Sequence, residues 1–517
     1  MQFKKKHRVL AAALLGATAL AGTPADARSR VHHAAPSAIE ARLAKMEAEI
    51  AQLRGDLAEA RAGQAQAVAA AQAANTAAEA ASTSALAANS AAAAADAKAV
   101  KAATGVAALE KKPAPEGFRD GGSTVRIGGY LKMVASNSHW SNGSVATNTL
   151  GRDFYLPQTI PTTVGGKGFT AQDFTAKQAR LWLNLETNVA GHVVKGYLET
   201  DFQTTASAAQ NVTAGGSQRT TNGYTLALRR AYVTLDKFTF GQDWTTFQYV
   251  AALPETTDYV GGAEGTVFVR QPMVRYSQPL GHGLTLHIAA ENPESALVSA
   301  GSTTTLESGT DHLPDFAARL AYAGKRGELS LAGLVRQVRG EGTGTALNNN
   351  VTTAGVTGTG VTATGIGGSV GGKLFLAEDK SSDIRFIATY GKDIGRYVGL
   401  NFAPDAVYNP LTNKLTDVNV FAALVAARYS LTPQFRLNVM GSYQHVGYDK
   451  TLTAAQTSGL NKQAWSMAAN LFYSPVKAVD LGIEYRHGER TVLNAATATG
   501  DANGKLDRVE FAAKYSF

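Results

Sequence analysis

The chain has 517 residues, 17% of them charged, no cysteine, a formal net charge of +8 and a mean hydropathy of −0.11. The absence of cysteine excludes disulfide frameworks and thiolate metal sites, and past the first two dozen residues there is no apolar run of the ~20 residues a transmembrane helix needs. A membrane is not excluded, because a barrel strand crosses on about 10 residues of alternating polarity, and the positive charge has no meaning for partners until it is divided by location.

Residues 1–27 read as a secretory signal peptide. Lys4, Lys5, Lys6 and Arg8 form a positive start, Val9 to Leu20 a short apolar core, and Ala25-Asp26-Ala27 a small-residue cleavage site. An uncleaved anchor is the rival reading, but the apolar stretch is short for a span. Export follows, and part of the positive charge leaves with the signal.

Residues 28–116 are expected to form a periplasmic stalk. Ile39, Leu43, Met46, Ile50, Leu53 and Leu57 recur at spacings of four and three, a heptad seam flanked by charged residues. A lone helix buries nothing with such a seam, so it implies association between chains. The mixture of Ile, Leu and Met leaves the number of strands open, as does the alternative of an amphipathic helix packed on its own domain. Residues 62–110 are rich in alanine, which favours helix but offers a thin seam, so a continuing helix and disorder both stand. Pro113 and Pro115 end any helix.

Residues 117–517 change texture. Short alternating segments are joined by brief turns near 190–192, 236–237, 279–283, 324–327, 378–382, 432–434 and 474–478. They are also joined by long Gly-, Thr-, Asn- and Ser-rich loops near 138–177, 204–223, 247–267, 293–314, 340–364, 392–417, 447–462 and 490–504. Short turns at one end and long loops at the other are the asymmetry of an outer-membrane barrel. The fold class expected is an all-β transmembrane barrel of about 16 antiparallel strands, preceded by an α-helical coiled-coil stalk. An even strand number puts both barrel ends on the short-turn, periplasmic side, with the stalk. Such a barrel has a lumen wider than its side chains fill. In the strand 479–488, Val479, Leu481, Ile483 and Tyr485 face out while Asp480, Glu484 and Arg486 face in. The last strand presents Val509, Phe511, Ala513, Tyr515 and Phe517 on one face and Arg508, Glu510 and Lys514 on the other. Its terminal Phe517 resembles the signal read by the barrel-assembly machinery. Tyr232, Tyr276, Tyr322, Tyr429, Tyr473 and Tyr515 end descending strands and are expected to form an outward aromatic girdle at the membrane–water boundary.

The stretch Ala252 to Asp258 (A-L-P-E-T-T-D) and Phe268 to Pro279 (F-V-R-Q-P-M-V-R-Y-S-Q-P) carries the most specific resemblance. With it go Ile127-Gly128-Gly129-Tyr130 and Lys132, Arg152-Asp153-Phe154-Tyr155 through Ile160-Pro161, and Gly241-Gln242-Asp243-Trp244. On these motifs residues 117–517 resemble the DcaP-like family of trimeric outer-membrane porins; the alanine-rich tract departs from it. The resemblance implies a homotrimer in outer-membrane lipid and lipopolysaccharide, passing small anionic solutes with dicarboxylates as the family's substrates.

The loop 247–267 follows the fifth strand and resembles the inward-folded loop of 16-stranded porins. It carries Glu255, Asp258 and Glu264, expected to face the opposite wall, with Gly261, Gly262 and Gly265 permitting tight turns. Inward-facing Arg180, Lys195, Arg229, Arg275, Arg319, Arg336 and Arg385 are the candidates for that wall. Rings of Arg or Lys select anions, and guanidinium meets a carboxylate through two parallel bonds. The opposing reading is that Glu186, Glu199, Asp201, Asp243, Asp383 and Glu484 neutralise them. Arg230 breaks the alternation that turns Arg229 inward, which a bulge or subunit contact would explain. The histidines show no metal-ligand spacing, no cofactor is expected, and Ser277 with His287 lacks the third residue a hydrolase needs. Glycines in 365–372 would allow close packing between barrels. The sequence therefore predicts a non-enzymatic porin without nucleic-acid binding. A structural tether to the envelope, or a trimeric adhesin to which each chain gives only a few terminal strands, are the alternatives.

Overall fold

The structure, a computed structural model, describes residues 43, 45, 46, 49, 51, 52, 117–120, 122–204, 223–348 and 351–517. Sixteen strands form the wall: β1 Ser123–Trp140, β2 Phe169–Thr175 continued by Arg180–Val189, β3 His192–Asp201, β4 Ala227–Leu235, β5 Phe238–Trp244, β6 Arg270–Gly281, β7 Leu284–Glu291 and β8 Asp315–Ala323. Then follow β9 Gly327–Asn348, β10 Val351–Phe375, β11 Asp383–Lys392, β12 Lys414–Ser430, β13 Phe435–Tyr448, β14 Asn461–Val476, β15 Val479–Leu493 and β16 Asp501–Ser516. Each pairs antiparallel with its neighbour, and β16 pairs with β1 from Tyr130↔Ser516 to Trp140↔Leu506. Gly129 and Phe517 exchange both backbone bonds, at 3.1 and 3.0 Å, so the closing seam runs to the last residue. One chain thus supplies the whole closed ring, which excludes the adhesin arrangement of a few strands per chain. No described helix is long and apolar enough to span a membrane.

Alternation builds the wall. On β15 and β16, Ile483, Tyr485, Val509 and Phe511 are exposed outward, while Glu484, Arg486, Arg508, Glu510 and Ala512 are buried inward. The seven short turns fall where the sequence put them, but one long loop does not exist. Within 340–364, expected as a loop, residues 340–348 and 351–364 are the upper parts of β9 and β10, strands of 22 and 25 residues paired out to Asn348↔Val351 with two register shifts. Glycine and threonine content suggested a loop there. The Thr and Val residues that alternate through 351–364 are good strand formers, and the partner strand decides the outcome. The loops at 138–177, 447–462 and 490–504 are likewise shorter than expected, because strands continue to Trp140, Tyr448 and Leu493.

A bulge between β3 and β4 resolves Arg230 and corrects a girdle assignment. Thr200 pairs with Leu228 and Glu199 with Arg230, so Arg229 is the extra residue. Arg229 and Arg230 both point inward, and the parity of the rest of β4 is reversed. Tyr232, expected on the outer girdle, therefore faces the lumen, stacked on Tyr197 with ring centroids 5.3 Å apart. The other five tyrosines lie outward: Tyr322, Tyr429 and Tyr515 are exposed, Tyr276 packs on Phe238 and Tyr473 stacks on Phe435.

Of the predicted stalk seam, Leu43 and Met46 are helical and exposed. Ile39, Ile50, Leu53 and Leu57, the signal segment 1–27, the alanine-rich tract and loop residues 205–222 lie outside the described residues.

Phe511→Arg places a charge on the lipid face of β16 and should cost about 2–4 kcal/mol if it sits near mid-bilayer. Unfolding in lipid vesicles checks this, and an effect near zero would mean that face does not meet hydrocarbon.

Candidate functional site: the loop-lined lumen

Residues 251–269, between β5 and β6, are all buried, and they lie inside the barrel. This loop follows the inner wall, tied to strand after strand. Thr245 Oγ1 donates to Glu291 of β7 at 2.6 Å, and Arg319 of β8 donates to Gln248 O at 2.6 Å. Tyr249 OH donates to Glu328 of β9 at 2.9 Å, and Arg385 of β11 donates to Leu253 O. Asn470 of β14 donates to Glu255 O at 2.9 Å, and Glu484 of β15 accepts from Thr256 Oγ1 at 2.5 Å and Thr257 N at 3.1 Å. Lys132 of β1 donates to Thr257 O at 2.7 Å, and Tyr259 OH donates to Asp201 of β3 at 2.7 Å. The backbone is pressed so closely that a Cβ at Gly265 would overlap the Ala423 carbonyl of β12.

The three loop carboxylates do not face open water. Glu255 accepts from Arg436 of β13 at 2.7 Å and lies 3.7 Å from Arg428 of β12. Asp258 accepts from Tyr155 N at 2.9 Å and from Gly261 N at 3.2 Å. Glu264 accepts a long bond of 3.4 Å from Tyr155 OH. All three are buried. The expectation that they would look across the pore is corrected: they fasten the loop to the near wall and to a second loop. Buried carboxylates are tolerated where donors converge on them, as at Glu255 and Asp258; Glu264 keeps one carboxylate oxygen buried without a partner.

Two further loops turn inward, a feature absent from the expectations. Phe154, Tyr155, Leu156 and Ile160 of loop 141–168 pack with Leu253, Tyr259, Val260 and Phe268, and with Leu400 of loop 393–413, in one apolar cluster inside the wall. Gly399, Leu400 and Asn401 all adopt positive φ, at +63°, +60° and +62°. That turn lets Leu400 enter the cluster while its carbonyl accepts from Gln158 at 2.8 Å. Gly367 and Gly371 face in and meet Phe247, Ile394 and Tyr249 of these loops. So part of the glycine stretch on β10 makes room for inward loops, where close packing between barrels was expected.

The predicted arginines divide by partner. Arg180 bonds Glu199 at 2.7 Å and Asp201 at 2.6 Å, and Arg229 bonds Asp201 at 2.8 Å. Arg336 pairs with Asp315 at 3.2 Å and Asp405 at 2.8 Å, and Arg385 grips Asp383 through two bonds of 2.6 and 3.1 Å. These four are buried and structural. Lys195 is exposed at the short-turn end, 3.7 Å from Glu186. Arg275 bonds Asp243 at 2.5 Å and stays partly exposed, as does Arg319. Arg230, Lys373, Arg428 and Arg436 join them on the lumen side, and the alternation of their strands already carried that signal for the last three. Ser277 and His287 are 2.9 Å apart, register neighbours on β6 and β7, and Arg319 is the register partner of His287 on the other side.

In these pairs the cation is the outer member. Arg230 and Arg275 are 16% and 15% exposed over Asp243 at 4%. Arg428 is 30% and Arg436 12% exposed over Glu255 at 2%, and Lys373 is 15% exposed over Asp383 at 0%. The short carboxylate sits against the wall while the longer basic side chain reaches past it. Thr256→Val removes the hydroxyl that donates to Glu484 and accepts from Asp258 N at 3.1 Å, leaving size unchanged. The variant should loosen the inward loop at a local cost of about 1–3 kcal/mol. Larger single-channel current fluctuations than in the wild type, with unchanged barrel melting, are expected, and a variant as quiet as the wild type would count against the anchor.

The chain's residues 174–517 match the family model described as DcaP, DcaP outer membrane protein. No curated protein matches it. A crystal structure of the outer membrane channel DcaP of Acinetobacter baumannii superposes with a TM-score of 0.59 at 24% identity, over 78% of this chain and 99% of that one. OmpT, an outer membrane protein of Vibrio cholerae, aligns at 0.47 with 12% identity over 78% and 100% of the chains. An anion-selective porin from Comamonas acidovorans aligns at 0.43 with 10% identity over 76% and 100%. The first likeness shows the shared fold, and the other two bear no weight. On the family match, the chain belongs to the DcaP outer membrane protein family, and its barrel resides in the outer membrane.

Proposed function

We propose that this protein is a passive outer-membrane porin for small solutes, anion-preferring, with dicarboxylates as favoured substrates. The observation that supports the preference is the layering of the lumen ion pairs, carboxylate beneath and guanidinium or ammonium above. A solute in the lumen water meets the cationic end of these five pairs first; Asp480, 13% exposed beside Arg436 at 12% and Lys514 at 10%, is the exception. The field of a pair does not cancel at a distance comparable with its own length, so the water-filled path is positive although the wall is nearly balanced. Arg275 and Arg319 are the residues we assign to solute contact, with Arg230, Arg428 and Lys195 along the same path. Arg180, Arg229, Arg336 and Arg385 act one layer deeper, holding the wall and loop in place. The loop bearing Glu255, Asp258 and Glu264 narrows the path, and its anchors keep that narrowing constant.

The same reading includes a homotrimer in contact with lipid and lipopolysaccharide. It also includes a cleaved signal at 1–27, a periplasmic stalk over 28–116 and delivery by the barrel-assembly machinery through the strand ending at Phe517. No reaction is catalysed. Flux requires that each arginine bind weakly enough to release.

In planar bilayers under a potassium chloride gradient, the reversal potential should take the sign of an anion-preferring pore. Arg275→Gln combined with Arg319→Gln should lower the chloride-to-potassium permeability ratio by about two-fold or more without loss of trimer. Cation preference in the wild type would remove the reading; an unchanged ratio in the double variant would remove these two assignments.

A further inference from the structure

At the long-loop end of the barrel, a cavity of about 110 Å³ is lined by Leu297, Thr305, Phe402, Leu460, Asn461 and Arg490, among others. That is room for roughly three or four waters, or one small organic anion. Arg490, near the top of β15, is the charged residue on the lining. Its Nε donates to Asn461 Oδ1 at 2.7 Å and its Nη1 to Ile160 O at 2.9 Å. Asn461 is held in turn by its Nδ2, which donates to Phe402 O at 2.6 Å. The guanidinium is therefore fixed in direction by two neutral acceptors.

Arg490 lacks what Arg180, Arg229, Arg275, Arg336 and Arg385 all have. Among the described residues no carboxylate pairs with it, and its Nη2 has no acceptor. Across the cavity the Asn401 amide is also unengaged, its Oδ1 buried without a partner. An amide that can rotate offers its Nδ2 to an anion. A partly buried guanidinium held rigid, uncompensated and facing a small polar hollow has the chemistry of a carboxylate site.

We propose that this cavity binds a small carboxylate of two to four carbons through Arg490, at the mouth and against the inward loops. Its role as a staging point for solute rests on the porin reading; the binding itself does not. The test uses the detergent-solubilised full chain and saturation-transfer NMR with succinate and, separately, acetate. Wild type should show saturable transfer. Arg490→Gln should weaken it by about ten-fold, and Arg490→Lys should recover part of the loss. Thr305→Phe fills the hollow without touching Arg490 and should weaken transfer as well, with heat-modified gel mobility confirming folded barrels. No transfer to the wild type would overturn the proposal, as would wild-type binding by both Arg490→Gln and Thr305→Phe. A pore that conducts nothing would sink the porin reading and leave this result intact.

Discussion

In hydrocarbon an unpaired backbone amide has no water to turn to, and each one costs several kcal/mol. That single constraint governs this molecule. It forces every strand to find two neighbours, and the only arrangement that leaves no edge is a ring. The pairing of β16 with β1, carried to the exchange between Gly129 and Phe517, completes that ring. Once it is closed, side-chain direction is settled along each strand. Ile483, Tyr485, Val509 and Phe511 must meet lipid, and Glu484, Arg486, Arg508 and Glu510 must be accommodated within.

Accommodating them is the second problem the fold meets. A ring of 16 strands encloses more space than its own side chains occupy, and here three loops enter it. They bring apolar residues such as Phe154, Tyr259 and Leu400, which cluster away from water, and backbone groups that would be orphaned inside. The inward polar residues of the wall supply the partners. Lys132, Arg385, Asn470 and Glu484 each serve the loop backbone, so charges that look expensive to bury are the clamps that hold the loops. What remains near water in the pairs over Asp243, Glu255 and Asp383 is the outer tip of the longer basic side chain.

Much of this was legible from residue pattern. The strand count, the short turns and the inward face of β15 and β16 follow from local alternation and turn composition, while the inward loop after β5 was expected from the resemblance to 16-stranded porins. So does the inward face of Arg428 and Arg436, one residue removed from exposed Tyr429 and Leu437. Three things were hidden. The upper halves of β9 and β10 look like loop by glycine and threonine content, and only the facing strand makes them sheet. The bulge at Arg229 has no local signature beyond two adjacent arginines, yet it turns Tyr232 from lipid to lumen. And Glu255, Asp258 and Glu264 read as pore-facing because nothing in their neighbourhood in the chain announces Arg436 or Tyr155, which lie 181 and more than 100 positions away.

Period-two alternation, turn chemistry and aromatic placement act between residues a few positions apart, so the chain alone was enough to specify a hollow cylinder, its lipid face and its membrane. Which charges are spent as clamps and which keep an exposed tip was decided only when strands and loops distant in the chain were brought together. An ion pair is a property of two positions in space, and its exposed member is chosen by the lengths of both side chains and by what packs over them. The selectivity proposed for the lumen belongs to that second level.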